Sequence, residues 1–276
     1  MSDKEREKGE VTFERKGFIG TVTLRRPEKR NALNYALWLS LSEAMKKAAQ
    51  DREVRVILLK GEGDSFCSGL DLSPANEVIR LLSEKASAEQ KMRLFALIKR
   101  IQSIYTELEV LRVPTIAVIQ GHCLGAGLEL ICSCDMRFCS SDAVFSLPEV
   151  RFAIITDVGG LQRLPRIVGR GKAREIAFRG HSISSGEAKR IGLVNEVFDT
   201  PEMLFAKVDK IAQEIADHSP LAVQGAKEVL LYNEDASLMR SLDYNAARSA
   251  MILPSEDLQE SINSYLEKRG SKFKGI

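Results

Sequence analysis

Four carboxylates stand where an acid is costly unless it is paired or put to use: Glu129, Asp135, Glu149 and Asp157. Glu129 closes the run Gly121-His122-Cys123-Leu124-Gly125-Ala126-Gly127-Leu128-Glu129, and Asp135 follows close behind. Glu149 sits in Leu147-Pro148-Glu149-Val150, and Asp157 lies between the apolar pair Ile154-Ile155 and the di-glycine Gly159-Gly160. Apolar surroundings raise a carboxyl's pKa toward the range where it can both give and take a proton. Plainer roles stay open for each: Glu129 and Asp157 as helix caps, Glu149 as a solvated turn residue.

Two glycine-bearing turns could supply the complementary chemistry. Gly121 to Gly127 follows a strand and opens a helix, so free N–H groups and the helix dipole meet there. The spacing G-x-x-x-G-x-G has no Lys-Ser/Thr to follow it, which suits a single developing oxyanion better than a polyphosphate. Phe66-Cys67-Ser68-Gly69-Leu70-Asp71-Leu72 also follows a strand, and Gly69 lets its backbone turn sharply; a plain turn is the simpler reading of it. No nucleophile system is visible. There is no G-x-S-x-G elbow, and Ser68 has no assigned partner among His122, His181 and His218. Cys132, Cys134 and Cys139 cluster as C-x-C-x4-C, which matches no common zinc pattern. They are expected to be small buried thiols, with no metal bound.

The elements that must position these groups read as α/β layering. Val11–Glu14 and Phe18–Leu24 are strand candidates around a Lys16-Gly17 turn. Asn34 caps an amphipathic helix reaching about Gln50, with Leu37, Leu41, Ala44 and Ala48 on one face. Strands are expected at Val54–Leu59, Thr115–Ile119, Met136–Cys139 and Val144–Ser146, with Leu193–Val197 the last apolar run. A long polar and helical stretch runs from Pro74 to Leu111, and a helix is expected from Ala126 to Ser133. Beyond position 200 the pattern is helical: Pro201–Ala216, Pro220–Tyr232, Ala236–Met251 and Ser255–Lys268. This divides the chain into a flexible lead (1–9), an α/β core (10–200) and a helical C-terminal region (201–276) of the kind that covers a neighbouring unit.

Composition narrows the field further. At 276 residues with 44% hydrophobic and 28% charged residues, the chain has the makeup of an ordinary globular domain. A net charge of +2 gives no reason to expect a nucleic-acid partner. No apolar run is long enough to suggest a membrane partner, and MSDKEREKGE has no apolar segment of a secretory signal. Five cysteines, an odd number, point to reduced thiols. The ending Phe273-Lys274-Gly275-Ile276 is not the peroxisomal Ser-Lys-Leu address, so a cytoplasmic setting is expected.

In order along the chain, Leu24-Arg25-Arg26-Pro27 with Asn31-Ala32-Leu33-Asn34, then Phe66 to Asp71, Gly121 to Glu129 with Cys134-Asp135, Pro148-Glu149-Val150, and Gly159 to Pro165 resemble the crotonase (enoyl-CoA hydratase/isomerase) superfamily. The resemblance covers the chain from Val11 to about Gly275. It implies a spiral of ββα turns with a helical C-terminal region that builds homo-trimers or homo-hexamers. It implies an acyl-CoA thioester as substrate, with coenzyme A carried by the substrate and no separate cofactor. It further implies an oxyanion hole from the N–H groups of Leu70 and Ala126, where the family's usual Gly is replaced by Ala126 without loss of the backbone donor. Gly69, Leu70, Asp71, Leu72, Ser73 and Gly127 would line the acyl-CoA path.

Two subtypes share these features. Family hydratases carry a glutamate pair matching Glu129 and Glu149, which hold a water and add it across a 2-enoyl double bond. The stretch after Leu72, Asp157-Val158-Gly159, Ser219 to Gly225 and Ser241-Leu242-Asp243-Tyr244 resemble the dienoyl-CoA isomerases instead. Those enzymes convert 3,5-dienoyl to 2,4-dienoyl thioesters with acids matching Glu149 and Asp157. Their third acid is normally Asp, where this chain has Glu129. With both glutamates present, enoyl-CoA hydration in fatty-acid or related acid degradation is the expected main activity, and dienoyl-CoA isomerisation the alternative. A catalytically silent acyl-CoA-binding scaffold is the alternative of another class; retention of Glu129, Glu149 and Asp157 argues against it.

Overall fold

The structure, a computed structural model, describes residues 9–85 and 87–276. The flexible lead expected over 1–9 therefore lies, apart from Gly9, outside the described residues. The chain opens with an antiparallel hairpin of β1 (Glu10–Lys16) and β2 (Ile19–Arg25), whose register pairs Lys16 with Ile19. The turn falls on Gly17 and Phe18, one residue later than Lys16-Gly17; β1 is longer than expected and β2 is shifted by one residue. Helix α1 (Tyr35–Gln50) starts where its cap predicts: the Leu37 N–H donates to Asn34 Oδ1 at 2.8 Å. Leu37, Leu41, Ala44 and Ala48 are all buried, and β3 (Val56–Gly61) follows two residues later than expected.

The stretch 74–111 is two helices, not one. Helix α2 (Glu77–Ser83) is capped by Asn76 and α3 (Ala88–Glu109) by Ser87, whose Oγ accepts from the Gln90 N–H at 3.0 Å. A second N-cap in mid-stretch starts a second helix.

From there the chain winds in repeating steps. Strands β4 (Thr115–Ile119) and β5 (His122–Leu124) are followed by helix α4 (Ala126–Ile131), and β6 (Met136–Ser140) by β7 (Val144–Ser146). Helices α5 (Gly160–Val168), α6 (Arg170–Arg179) and α7 (Ser185–Arg190) come next, with β8 (Ile183–Ser184) and β9 (Glu196–Phe198) on either side of α7. The first strand of each step joins one sheet, in the order β1-β2-β3-β4-β6-β9; the second joins another, β5-β7-β8. The β2-β3, β3-β4, β4-β6, β6-β9 and β5-β7 pairs are parallel. A bridge from Cys67 to Cys123 carries the same pattern back to the loop after β3. This is the expected spiral of ββα turns.

The apolar runs of β3 and β4 are buried on both faces, as parallel central strands should be. Ile57, Leu59, Ala117 and Ile119 face the main core with α1 and α3. Val56, Leu58, Ile116 and Val118 face the other way, onto Leu204, Val208, Ala212 and Ala216 of α8 (Pro201–Asp217). Those four recur at a spacing of four, one face of a helix. Thus the first helix of the 201–276 region packs into the core of its own chain. Helices α9 (Pro220–Asn233), α10 (Leu238–Ile252) and α11 (Glu256–Leu266) lie beyond it. Helix α9 is tied inward by a buried cation: Lys227 Nζ meets Asp135 Oδ2 at 2.8 Å and the Val113 carbonyl at 3.1 Å.

Candidate active site

The two glycine-bearing turns lie against each other. Gly69 has a φ of +91°, and a Cβ there would stand 2.8 Å from the Leu124 carbonyl and 3.6 Å from the Ala126 nitrogen. No side chain fits this approach, and a left-handed backbone would strain one in any case. The Leu33 N–H donates to the Gly69 carbonyl at 2.7 Å, and the Asp71 N–H donates to the Leu33 carbonyl at 2.9 Å. These bonds flank Leu70, so the alternation of an extended strand aims the Leu70 N–H to the opposite side. Gly125, at φ +52°, turns the chain into α4. Ala126 is the first residue of that helix, and its N–H is among those a helix leaves without an internal acceptor. Behind it, Tyr105 is fully buried; its hydroxyl donates to the Ala126 carbonyl at 2.8 Å and accepts from Trp38 Nε1 at 3.2 Å. Two backbone donors on adjoining turns can hold one oxygen as its charge grows.

Glu129, Glu149 and Asp157 come together beside these turns. Glu129 is 2% exposed. Burial lifts its carboxyl to about 8; the Gly160 and Val158 amides pull it down, while the charges of Glu149 and Asp157 push it up. Its Oε2 accepts from the Gly160 N–H at 2.7 Å and the Val158 N–H at 3.1 Å. Glu129 is thus a cap, but of α5 rather than of its own helix. Glu149 is half-buried at the head of the short 3-10 turn Glu149–Phe152, not solvated. Its carboxyl is raised by burial and by Asp157, against its own N–H and the Thr156 hydroxyl, which donates to Oε2 at 3.3 Å. A Cβ at position 125 would lie 2.7 Å from Glu149 Oε1, which places this carboxylate against the glycine turn before α4. Asp157 is half-buried too, and burial raises its carboxyl against its own backbone N–H. None of the ion pairs among the described residues involves these three acids.

Asp135, the fourth candidate, belongs elsewhere. Its Oδ2 is held by Lys227 and by the N–H and hydroxyl of Thr115 at 2.7 and 2.9 Å. Asp71 also turns inward: its Oδ2 lies 2.7 Å from Arg26 NH1, with both side chains under 10% exposed. Burial would raise the Asp71 carboxyl, but the Ser73 amide and Arg26 outweigh it and hold it low. Leu72 is 50% exposed, and Ser73 is partly buried with its N–H on Asp71 Oδ1. Gly127 lies where a Cβ would meet the Cys67 carbonyl at 2.8 Å, so α4 rests directly on the Cys67 loop. The five cysteines are free and buried, and burial pushes the Cys132 and Cys134 thiols up to about 12. Among the described residues no three His, Cys, Asp or Glu side chains gather as cation ligands, and no helix is long and apolar enough to cross a membrane.

Sequence reasoning passed over three contributors. Thr156 touches Glu149 and stood in plain view one residue before Asp157. Gln102 of α3 donates to the Asp157 carbonyl at 2.7 Å, and Glu109 grips Arg163 through two bonds of 3.0 and 2.7 Å. Neither pairing leaves a local sequence signal.

With this geometry in hand, the comparisons with known proteins are specific. The family described as enoyl-CoA hydratase/isomerase matches residues 14–276. The peroxisomal Delta(3,5)-Delta(2,4)-dienoyl-CoA isomerase of Arabidopsis thaliana is 40% identical over 256 residues, 91% of each chain. The 2,3-dehydroadipyl-CoA hydratase of Escherichia coli is 34% identical over 266 residues, 96% of this chain and 99% of its own. The crystal structure of an enoyl-CoA hydratase from Bacillus anthracis superposes with a TM-score of 0.87 at 31% identity, covering 96% of this chain and 99% of that one.

Proposed function

The chain belongs to the enoyl-CoA hydratase/isomerase family, and within that family we propose that it is a dienoyl-CoA isomerase, converting 3,5-dienoyl-CoA to 2,4-dienoyl-CoA. The observation that carries this reading is Asp157: a half-buried acid with a raised pKa, coupled to Glu149 and Glu129 and left without a cation. A two-glutamate hydration has no use for it. The similarity to the Arabidopsis isomerase, higher than that to the hydratase from Escherichia coli, supports the same side. The balance thus moves from the hydratase expected on the glutamate pair to the isomerase alternative.

In this reading the thioester oxygen sits between the N–H groups of Leu70 and Ala126. Glu149, against the oxyanion turn, takes a proton from C2. The C2–H electron pair enters a conjugated enolate running from the thioester oxygen to C6, and the two N–H donors stabilise the oxygen's charge. Asp157, protonated at the start, delivers its proton to C6. One C–H bond breaks, one forms, and the double bonds move from 3,5 to 2,4. Glu149 ends protonated and Asp157 ionised, so the next turnover requires the proton to return. Carboxyls whose pKa values are raised favour such sharing. Glu129, neutral below about pH 8, holds the Val158–Gly160 backbone that carries Asp157.

Hydration of a 2-enoyl-CoA is the second reading, favoured by the glutamate at position 129 and by the hydratase relative. The same proposal includes a homo-trimer or homo-hexamer. It is supported by the C-terminal helices, which leave Leu238 70%, Met239 68% and Met251 79% exposed, apolar side chains that a second subunit would cover. The functional test is a side-by-side assay of purified protein on a 3,5-dienoyl-CoA and a 2-trans-enoyl-CoA. The first gains absorbance as its diene joins the thioester; the second loses it on hydration. Isomerisation faster by about a hundredfold or more is expected; faster hydration would hand the assignment to the second reading.

A further inference from the structure

The segment 157–160 is held by its backbone from two sides. On one side, Glu129 Oε2 accepts from the N–H groups of Val158 and Gly160. On the other, side chains of α3 act on its carbonyls, Gln102 directly and Thr106 and Glu109 through Arg163 of α5. Gln102 Nε2 donates to the Asp157 carbonyl at 2.7 Å. Arg163 NH1 lies 3.5 Å from the Gly159 carbonyl, while its Nε and NH2 are gripped by Glu109 at 3.0 and 2.7 Å and NH2 reaches Thr106 Oγ1 at 3.1 Å. Gln102, Thr106 and Glu109 recur at spacings of four and three, one face of the helix. That face therefore fixes the segment from which the Asp157 carboxyl projects.

From this geometry we infer that Gln102 is a positioning residue for Asp157. Through it, helix α3 sets how efficiently the enolate is protonated at C6 rather than returned to C2. This rests on the isomerase reading above, and on that reading the two steps are separable. Abstraction at C2 uses Glu149 and the oxyanion turn, which Gln102 does not touch. Delivery at C6 uses Asp157, whose peptide Gln102 holds. A displacement of about 1 Å in a reacting group lowers a rate by about a hundredfold, so loss of one bond to the supporting peptide should act mainly on the second step.

The test runs the isomerisation in D2O with wild type, Gln102→Leu, Asp157→Asn and the double variant. Mass spectrometry follows deuterium at C2 of recovered substrate and at C6 of product. In Gln102→Leu, product formation should fall about tenfold or more while C2 exchange persists, so exchanged substrate accumulates relative to product. Asp157→Asn should shift that ratio the same way and further. Adding Gln102→Leu to it should change nothing more, because the bond then positions a group that no longer acts. Equal slowing of exchange and product formation, or no change in their ratio, would overturn the inference while leaving the isomerase reading standing. A wild type that does not isomerise the diene would remove that reading, and this inference with it.

Discussion

Carboxylates are handled in opposite ways in two parts of this molecule. Asp71 lies under 10% exposed against Arg26, and the partly exposed Asp135 is met by the buried Lys227 and by Thr115. Each has a cation and hydrogen-bond donors, and Asp71 is held below its ordinary range. Glu129, Glu149 and Asp157 have donors but no cation, and all three carboxyls are raised. Carboxylates are thus anchored by cations in one place and left together without them in the other. A cation offsets the cost of burying a carboxylate; its omission costs stability and leaves the carboxyl raised. Three acids left together in this way identify a working site better than the burial of any one of them.

The contrast is broken most forcefully at Glu149. Glu149→Gln should lower isomerisation by roughly a thousandfold, about 4 kcal/mol of barrier, while the melting temperature stays level or rises. Steady-state kinetics with calorimetry on one preparation checks both. A large drop in melting temperature would move Glu149 among the anchors.

Lys227→Met should do the reverse. It leaves Asp135 and the Val113 carbonyl without their cation. Because Asp135 is partly exposed, the loss should be about 2 kcal/mol, near the lower end for broken pairs. Denaturant unfolding should register it, and kcat per folded molecule should not change.

The smallest effect sharpens the comparison through pH. The carboxyl of Glu129 rises from an ordinary value near 4.5 to about 8 in the folded chain. Between those values the folded state binds more protons than the unfolded state. Its contribution to stability is therefore full below about pH 4.5 and is lost as pH rises through 8. Asp71, with a lowered pKa, works the other way: its contribution is present above the ordinary carboxylate range and is lost in acid. Glu129→Gln should flatten the decline between pH 5 and 8, as read from unfolding curves at stepped pH.

Much of this was legible locally. The Asn34 cap, the strand Thr115–Ile119 and the glycine turn before α4 follow from side-chain period and cap chemistry, and the structure has them. The acids, too, could be picked out by their apolar and glycine neighbours. What was not legible depends on partners far apart in the chain. Glu129 reads as a cap of its own helix, yet it caps α5, about thirty positions on. Gln102 and Asp157 are 55 positions apart, and Asp135 and Lys227 are 92 apart. Periodicity reports which face of an element is buried and not what it is buried against. Helices α5 and α6 escaped for a local reason: α5 carries Pro165 inside it, and α6 is rich in arginine and short of apolar residues.

On the isomerase reading, Asp157 works as an acid while neutral Glu129 holds its backbone. The most direct measurement is the isomerisation of 3,5-dienoyl-CoA by Asp157→Asn and Glu129→Gln against wild type. Glutamine mimics the neutral acid and can still accept from Val158 and Gly160, so Glu129→Gln should keep activity within about tenfold of wild type, while Asp157→Asn should lose roughly a thousandfold. An Asp157→Asn enzyme that isomerises normally, or a Glu129→Gln enzyme that does not isomerise at all, would contradict the account.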